Sequence, residues 1–183
     1  MWRVAPALAL AVAVAAGAGG CSGPGHSGPA GDRHASAPAV YYLALGDSLS
    51  QGVQPGASGP SVRTRYGYAD QLYTALRSRQ PGLRLVKLGC PGETTVTMIH
   101  GGICSYAGGS QLAAAVRFLR AHRGRVSLVT LDIGANDPNS CITEPSVGKL
   151  AACAGSSVPR AAGNLGTIVH GCDRLPRTPA SSR

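Results

Sequence analysis

Short apolar runs alternate with segments of helical periodicity through the middle of the chain. Residues 40–45 are apolar and end at Gly-Asp-Ser, a pattern that indicates a buried strand followed by a tight turn. Residues 68–79 carry apolar side chains at helical spacing and stop before a Pro-Gly pair, which predicts a helix. Residues 83–88, in which leucine and valine recur between Arg84 and Lys87, predict a second strand, which is again followed by a glycine.

The same alternation continues beyond these elements. Ser110 is a good N-cap for a helix that runs through His122, with apolar residues on one face. Residues 126–133 are apolar almost throughout, which is typical of a strand buried on both faces. This order of strands and helices predicts a parallel sheet covered by helices, an α/β fold. Each predicted strand ends at a glycine-marked turn, and ligands of such sheets bind at the carboxyl ends of the strands.

The amino terminus has the pattern of an export signal. Residues 1–20 contain one early arginine, an apolar stretch too short to span a bilayer, and then small residues, which predicts a signal peptide. Ala-Gly-Gly before Cys21 resembles a bacterial lipobox, so we expect Cys21 to be lipidated and to tether the protein to a membrane. The alternative is ordinary cleavage nearby, with Cys21 left as a thiol.

Residues 21–39 are mostly Ser, Gly, Pro, Ala and His, which predicts a flexible linker. They contain a Gly-x-Gly-x-x-Gly match starting at Gly23, but no strand precedes it and no helix follows it. A dinucleotide site is therefore excluded here. His26 and His34 belong to the same composition, and we interpret them as linker residues rather than metal ligands.

Composition adds limits on the class of protein. The chain has 183 residues, of which 44% are hydrophobic, so it is long and apolar enough for one packed domain. The net charge is +9, but the arginines are scattered and no basic run has interleaved aromatic residues. Nucleic acid is therefore not expected as a partner. The sequence has no Cys-x-x-Cys, His-Glu-x-x-His or Gly-Lys-Ser/Thr motif, so we predict no metal and no cofactor.

The three predicted turns carry the chemical groups that acyl transfer needs. The first presents Ser48, a hydroxyl on a sharp bend after a strand; the second presents Gly89, with an unhindered backbone N–H; the third presents the carboxamide of Asn136. In acyl transfer a serine attacks the carbonyl carbon, and preorganised N–H groups bind the developing oxyanion. We interpret Asp47 and Asp137 as turn-forming residues. The alternative is that Ser48 and Asn136 only cap turns or helices.

These blocks, in this order and spacing, resemble the SGNH (GDSL-type) serine esterases and lipases over roughly residues 40–137. The resemblance implies a flavodoxin-like three-layer α/β/α sandwich, with a domain at residues 40–170. It also implies that Ser48 is the nucleophile and that Ser48, Gly89 and Asn136 form the oxyanion hole. The expected substrate is a small-molecule or lipid ester, and we expect a monomer if the protein is soluble.

The resemblance also implies a disulfide pairing. Exported relatives carry similar local pairs, which here are Cys90–Cys104 and Cys141–Cys153, and export supplies the oxidising environment that they need. Cys172 is then left without a partner.

This chain departs from the family's pattern at the general base. The family carries Asp-x-x-His near its carboxyl terminus, where the His activates the serine. This chain contains no Asp-x-x-His, and after Asp137 its only histidine is His170. His100, expected on a loop, and His122, at a helix end, are interpreted as surface residues. His170 can replace the base only if the chain brings it back to Ser48.

Residues 171–183 lack apolar periodicity and predict a disordered tail. The family's sheet has two further strands, for which no candidate remains, so we expect a parallel sheet that is incomplete on its carboxyl-terminal side. A frameshift or premature end after about Ile168 would explain both the unusual tail and the missing Asp-x-x-His base.

Two functions follow from the sequence. The first is an exported serine hydrolase of carboxylic esters that works through an acyl-serine intermediate. The alternative is a catalytically inactive relative, an envelope lipoprotein without the Asp-x-x-His base. Either is expected to be a bacterial protein, secreted or anchored in the cell envelope.

Overall fold

The structure is a computed structural model, and it describes residues 39–144 and 146–173. The predictions for the signal peptide, for lipidation of Cys21 and for nearly all of the linker therefore lie outside the described residues. None of the helices in the described ranges is long and apolar enough to cross a membrane. The elements are, in chain order, β1 (Val40–Gly46), β2 (Val53–Pro55), β3 (Ser61–Arg63), α1 (Tyr68–Arg77), β4 (Leu83–Lys87), α2 (Thr95–His100), α3 (Gln111–Ala121), β5 (Val126–Asp132), a 3-10 helix (Asp137–Thr143) and α4 (Val147–Asp173).

The central sheet is parallel and has the order β4-β1-β5. The first strand of the chain therefore lies between the second and third parallel strands, which is the flavodoxin-like arrangement that the resemblance implies. β1 is buried along most of its length because it has a strand on either side and helices on both faces. The short strands β2 and β3 form a separate antiparallel hairpin, which the apolar pattern does not predict.

Alternate residues of β1 point to opposite faces of the sheet and create two apolar clusters. Leu43 and Leu45 pack with α2, α3 and α4, whereas Tyr42 and Ala44 pack with α1. Helices thus cover both faces, and the fold is a three-layer α/β/α sandwich. The prediction of this fold class is confirmed.

Two predicted helices lie where the pattern puts them. α1 begins at Tyr68 as predicted, and α3 follows Ser110, whose side chain accepts a hydrogen bond of 3.2 Å from the backbone N–H of Ala113. Capping by Ser110 satisfies one of the N–H groups that the first turn of a helix leaves free.

The sequence interpretation was wrong about two segments. His100 is the last residue of α2 rather than part of a loop. Residues 171–173 are the final residues of α4 rather than the start of a disordered tail. α4 escapes prediction because it is rich in Gly, Ala and Ser and contains Pro159, all of which obscure a helical pattern. Burial of Ile168 in the apolar cluster against the sheet and packing of Cys172 on the same cluster hold its end in place.

Candidate active site

The three predicted turns meet at one edge of the sheet, where β1, β4 and β5 end. Backbone hydrogen bonds join them: Cys90 donates to the carbonyl of Gly46 at 3.0 Å, and Asp47 donates to the carbonyl of Asp132 at 3.0 Å. Each bond links the end of β1 to a neighbouring strand end. The turn after β1 is therefore fixed from both sides.

Gly46 allows β1 to turn so sharply. Its φ is +124°, in the region that favours glycine, and a Cβ there would lie 1.8 Å from the carbonyl oxygen of Asp132. Any side chain at this position would push β5 away from β1. Glycine is therefore required both for backbone conformation and for close packing.

Ser48 is half-buried on the turn that follows. The carboxylate of Asp47 accepts a hydrogen bond of 3.0 Å from the N–H of Leu49, and the carbonyl of Ser48 accepts bonds from Gln51 and Val53 at 3.1 and 3.0 Å. These bonds fix the backbone around Ser48. Its own N–H donates to no other group among the residues that the structure describes.

Gly89 lies directly beside this turn. Its N–H also donates to no acceptor in the described part of the chain. Ser50 fills the space next to it, and the Ser50 hydroxyl donates to the carbonyl of Asp47 at 2.7 Å. The second turn is thus packed directly on the first.

Asn136 reaches the same edge from the turn after β5. Its Nδ2 donates to the carbonyl of Glu93 at 2.9 Å and, over a longer distance of 3.3 Å, to the carboxylate of Asp47. Its Oδ1 accepts a bond of 3.0 Å from Asn139. These partners orient the carboxamide so that its nitrogen faces the turn that carries Ser48.

Asp137 connects the third turn to the helices. Its carboxylate accepts hydrogen bonds from the backbone N–H and the hydroxyl of Thr95, at the start of α2, the former at 2.9 Å. Asn164 of α4 donates to the same hydroxyl at 3.0 Å. Asp137 therefore docks two helices against the turn, a role beyond the turn formation that was predicted for it.

A buried polar group that the sequence pattern does not predict lies beneath the turns. Gln111 is fully buried, and its side chain binds Gly46 twice: Oε1 accepts from the N–H at 2.7 Å, and Nε2 donates to the carbonyl at 2.9 Å. Nε2 also donates to the fully buried Glu93 at 2.9 Å. Nothing in the sequence marks these residues, because a glutamine in a first helical turn is ordinarily solvent-exposed.

The phenol of Tyr106 completes this group. It donates to the carbonyl of Leu88 at 2.6 Å and lies 3.5 Å from the Glu93 carboxylate. Burial, and then the negative charge of Glu93, raise the pKa of Tyr106 to about 12. The phenol therefore stays protonated, and a donor, well beyond neutral pH.

Comparison with models of known protein families identifies the family of this chain. The model of the GDSL-like Lipase/Acylhydrolase family matches residues 44–179, most of the chain. The chain belongs to this family. No curated protein gives a significant match.

Solved structures of an esterase and a lipase resemble the chain at low sequence identity. The SGNH-hydrolase family esterase AlinE4 is 24% identical with a TM-score of 0.43, and the match covers 75% of this chain and 55% of AlinE4. The extracellular lipase of Streptomyces rimosus is 21% identical with a TM-score of 0.46, covering 73% of this chain and 53% of the lipase. The chain thus spans about half the length of the solved structures it matches.

Three histidines of this GDSL-like chain, His100, His122 and His170, lie within the residues that the structure describes. His122 stacks on Phe118 with 4.1 Å between ring centroids and lies 4.3 Å from the ring of Tyr41, near the start of β1 and so at the opposite edge of the sheet. His100 and His170 are exposed on α2 and α4. Within the described residues, no histidine side chain makes a hydrogen bond to Ser48.

Both disulfides that the resemblance implies are present. Cys90–Cys104 starts at the turn after β4, and Cys141–Cys153 joins the 3-10 helix to α4. Cys172 is the free cysteine of the described residues, and burial raises the pKa of its thiol. Reactivity of Cys172 is lowered accordingly, since the thiolate is the reactive form.

Asp47 and Asp132 place two carboxylates at the edge of the sheet near Ser48. Burial, and then the charge of Asp47, raise the pKa of Asp132 above its usual value. On the same side, Lys87 forms an ion pair of 2.9 Å with Asp70 and donates to the carbonyl of Gln51 at 3.2 Å. The lysine thus anchors the turn after Ser48 to α1.

Proposed function

We propose that this protein is an exported carboxylic-ester hydrolase in which Ser48 forms an acyl-serine intermediate. Family membership supports the reaction class. One observation carries the assignment of residues: the N–H groups of Ser48 and Gly89, which have no acceptor in the described part of the chain, lie on adjoining turns that the Asn136 carboxamide also faces. Preorganised donors of this kind stabilise the oxyanion of a tetrahedral intermediate.

The proposed reaction has two halves. The Ser48 oxygen bonds to the ester carbonyl carbon and its proton passes to solvent water. The ester C–O bond then breaks, and the alcohol leaves with a proton taken from solvent. Water then attacks the acyl group by the same route and releases the acid. The oxyanion replaces Asp47 as a partner of Asn136 Nδ2, because that bond is the longer of the two, while the bond to Glu93 keeps the carboxamide in place.

The second candidate is a non-catalytic relative that binds ester-bearing ligands. The observation that favours it is the lack of an Asp-x-x-His motif anywhere in the sequence. A serine without a base keeps its hydroxyl proton and is a weak nucleophile.

Location and substrate belong to the same proposal. The two disulfides favour an oxidising compartment, and the signal-like amino terminus favours export, either free or tethered through Cys21. The substrate is a small-molecule or lipid ester.

A fluorophosphonate probe with mass-spectrometric mapping tests the assignment. We expect the modification on Ser48 and its loss in Ser48→Ala. Ser78→Ala, an exposed serine at the end of α1, is the matched control and should leave labelling unchanged. Labelling that persists in Ser48→Ala would refute Ser48 as the nucleophile.

A further inference from the structure

Two fully buried polar side chains, Glu93 and Gln111, have no role in the proposed reaction itself. Oε1 of Glu93 has no hydrogen-bond partner among the described residues. A buried oxygen without a partner lowers stability, so global stability alone does not account for a glutamate at this position.

Gln111 binds Gly46 as a neighbouring strand would. One carboxamide accepts from the Gly46 N–H at 2.7 Å and donates to the Gly46 carbonyl at 2.9 Å. Only a side chain with both an acceptor and a donor makes this pair of bonds, which excludes Leu, Met and an ionised Glu. Gly46 is two residues before Ser48, so the bonds fix the start of the turn that carries the nucleophile.

Glu93 connects Gln111 to the other two turns. Its carboxylate accepts the second Nε2 hydrogen of Gln111 at 2.9 Å and thereby sets which way round the carboxamide lies. Its backbone carbonyl accepts from Asn136 at 2.9 Å. Because Glu93 belongs to the segment that follows Gly89, one residue links the turns after β1, β4 and β5.

We propose that Glu93 and Gln111 are positioning residues that hold the three oxyanion-binding groups at fixed separations. This inference rests on the proposed function. Oxyanion stabilisation depends on donors held within about 0.5 Å of the productive geometry, which favours a rigid buried bridge over exposed loops.

Amide hydrogen exchange and Ser48 labelling together test the bridge. In Gln111→Met, the Gly46 amide should exchange about tenfold faster in NMR spectra, the factor that loss of one ordinary hydrogen bond gives. Ser48 should react with the fluorophosphonate at about one tenth of the original rate or more slowly still. Gln71→Met is the matched control, since Gln71 is an exposed glutamine whose side chain donates to the carbonyl of Tyr66, and it should change neither quantity.

Glu93→Gln separates positioning from charge. Its Oε1 can accept the same bond from Gln111, so Gly46 exchange and Ser48 labelling should stay within about twofold of the unchanged protein. Glu93→Ala removes the acceptor and should behave like Gln111→Met, which keeps the test open if that variant does not fold.

The outcomes are distinguishable. Unchanged Gly46 exchange in folded Gln111→Met, or faster exchange with undiminished Ser48 labelling, would overturn the positioning role. Failure of the unchanged protein to label at Ser48 would instead contradict the proposed function, and exchange at Gly46 would still show whether the bridge holds the turn.

Discussion

The hydroxyl of Ser50 occupies the space that a side chain at Gly89 would need. A Cβ at position 89 would lie 1.8 Å from the Ser50 oxygen, which is buried and fixed by its bond to the carbonyl of Asp47. The φ of Gly89 is not in the left-handed region. This turn therefore needs glycine for space rather than for backbone freedom.

Gly89→Ala should lower the free energy of unfolding by about 1–3 kcal/mol, the usual effect of overpacking. Ser50→Gly in the same chain should recover part of that loss, because it removes the colliding oxygen. Urea unfolding of the two single variants and the double variant measures the coupling. Gly148→Ala on open helix surface is the control and should not destabilise. Strictly additive effects would contradict the collision.

The purified chain should hydrolyse a short-chain p-nitrophenyl ester only slowly, although the more electrophilic fluorophosphonate still labels Ser48. Loss of a triad member removes several orders of magnitude in rate, and no described histidine hydrogen-bonds Ser48. Release of p-nitrophenol, compared with Ser48→Ala, measures the effect. Vigorous turnover that depends on Ser48 would contradict this expectation and would make His170→Ala the next variant to examine.

The stability of the fold should fall as the pH rises from about 10 to about 12. The folded pKa of Tyr106 is about 12, above its ordinary value of 10.0, so the unfolded chain loses this proton first. The contribution is complete below pH 10 and is lost as the pH rises through the folded pKa. Urea unfolding across this range measures the slope, which Tyr106→Phe should reduce. The pKa values of Tyr42 and Tyr68 are also raised, mainly by burial, so a slope should remain. An unaltered slope in Tyr106→Phe would refute the assignment.

β5 should mediate self-association. Within the described residues only β1 pairs with it, and Val129 on this edge strand is 39% exposed. An open apolar edge is a template for pairing with another chain. Val129→Lys should shift sedimentation profiles toward monomer, whereas Val158→Lys on the exposed surface of α4 should not. Equal effects of both variants would point to general charge rather than strand pairing.

The local sequence pattern was enough to predict the parallel sheet and three residues of the candidate site. The three parallel strands are rich in apolar residues, and a glycine lies at or within two residues of each strand end. Parallel topology therefore predicts that Ser48, Gly89 and Asn136 lie at one edge of the sheet. Gln111 and Glu93 were missed because their importance arises from a contact between segments distant in sequence, which no short pattern encodes. α4 was missed for a different reason: burial against the sheet stabilises a helix that its own composition does not favour.

The two disulfides restrain only one of the two helical layers that cover the sheet. Both lie in segments of the layer formed by α2, α3 and α4, whereas α1 on the other face is held by apolar packing and by the ion pair between Lys87 and Asp70. Reduction would thus remove restraints from one layer only. A reducing compartment would therefore remove the covalent restraints on the segments that carry Glu93 and Asn136, while the apolar packing of α1 on the opposite face would remain.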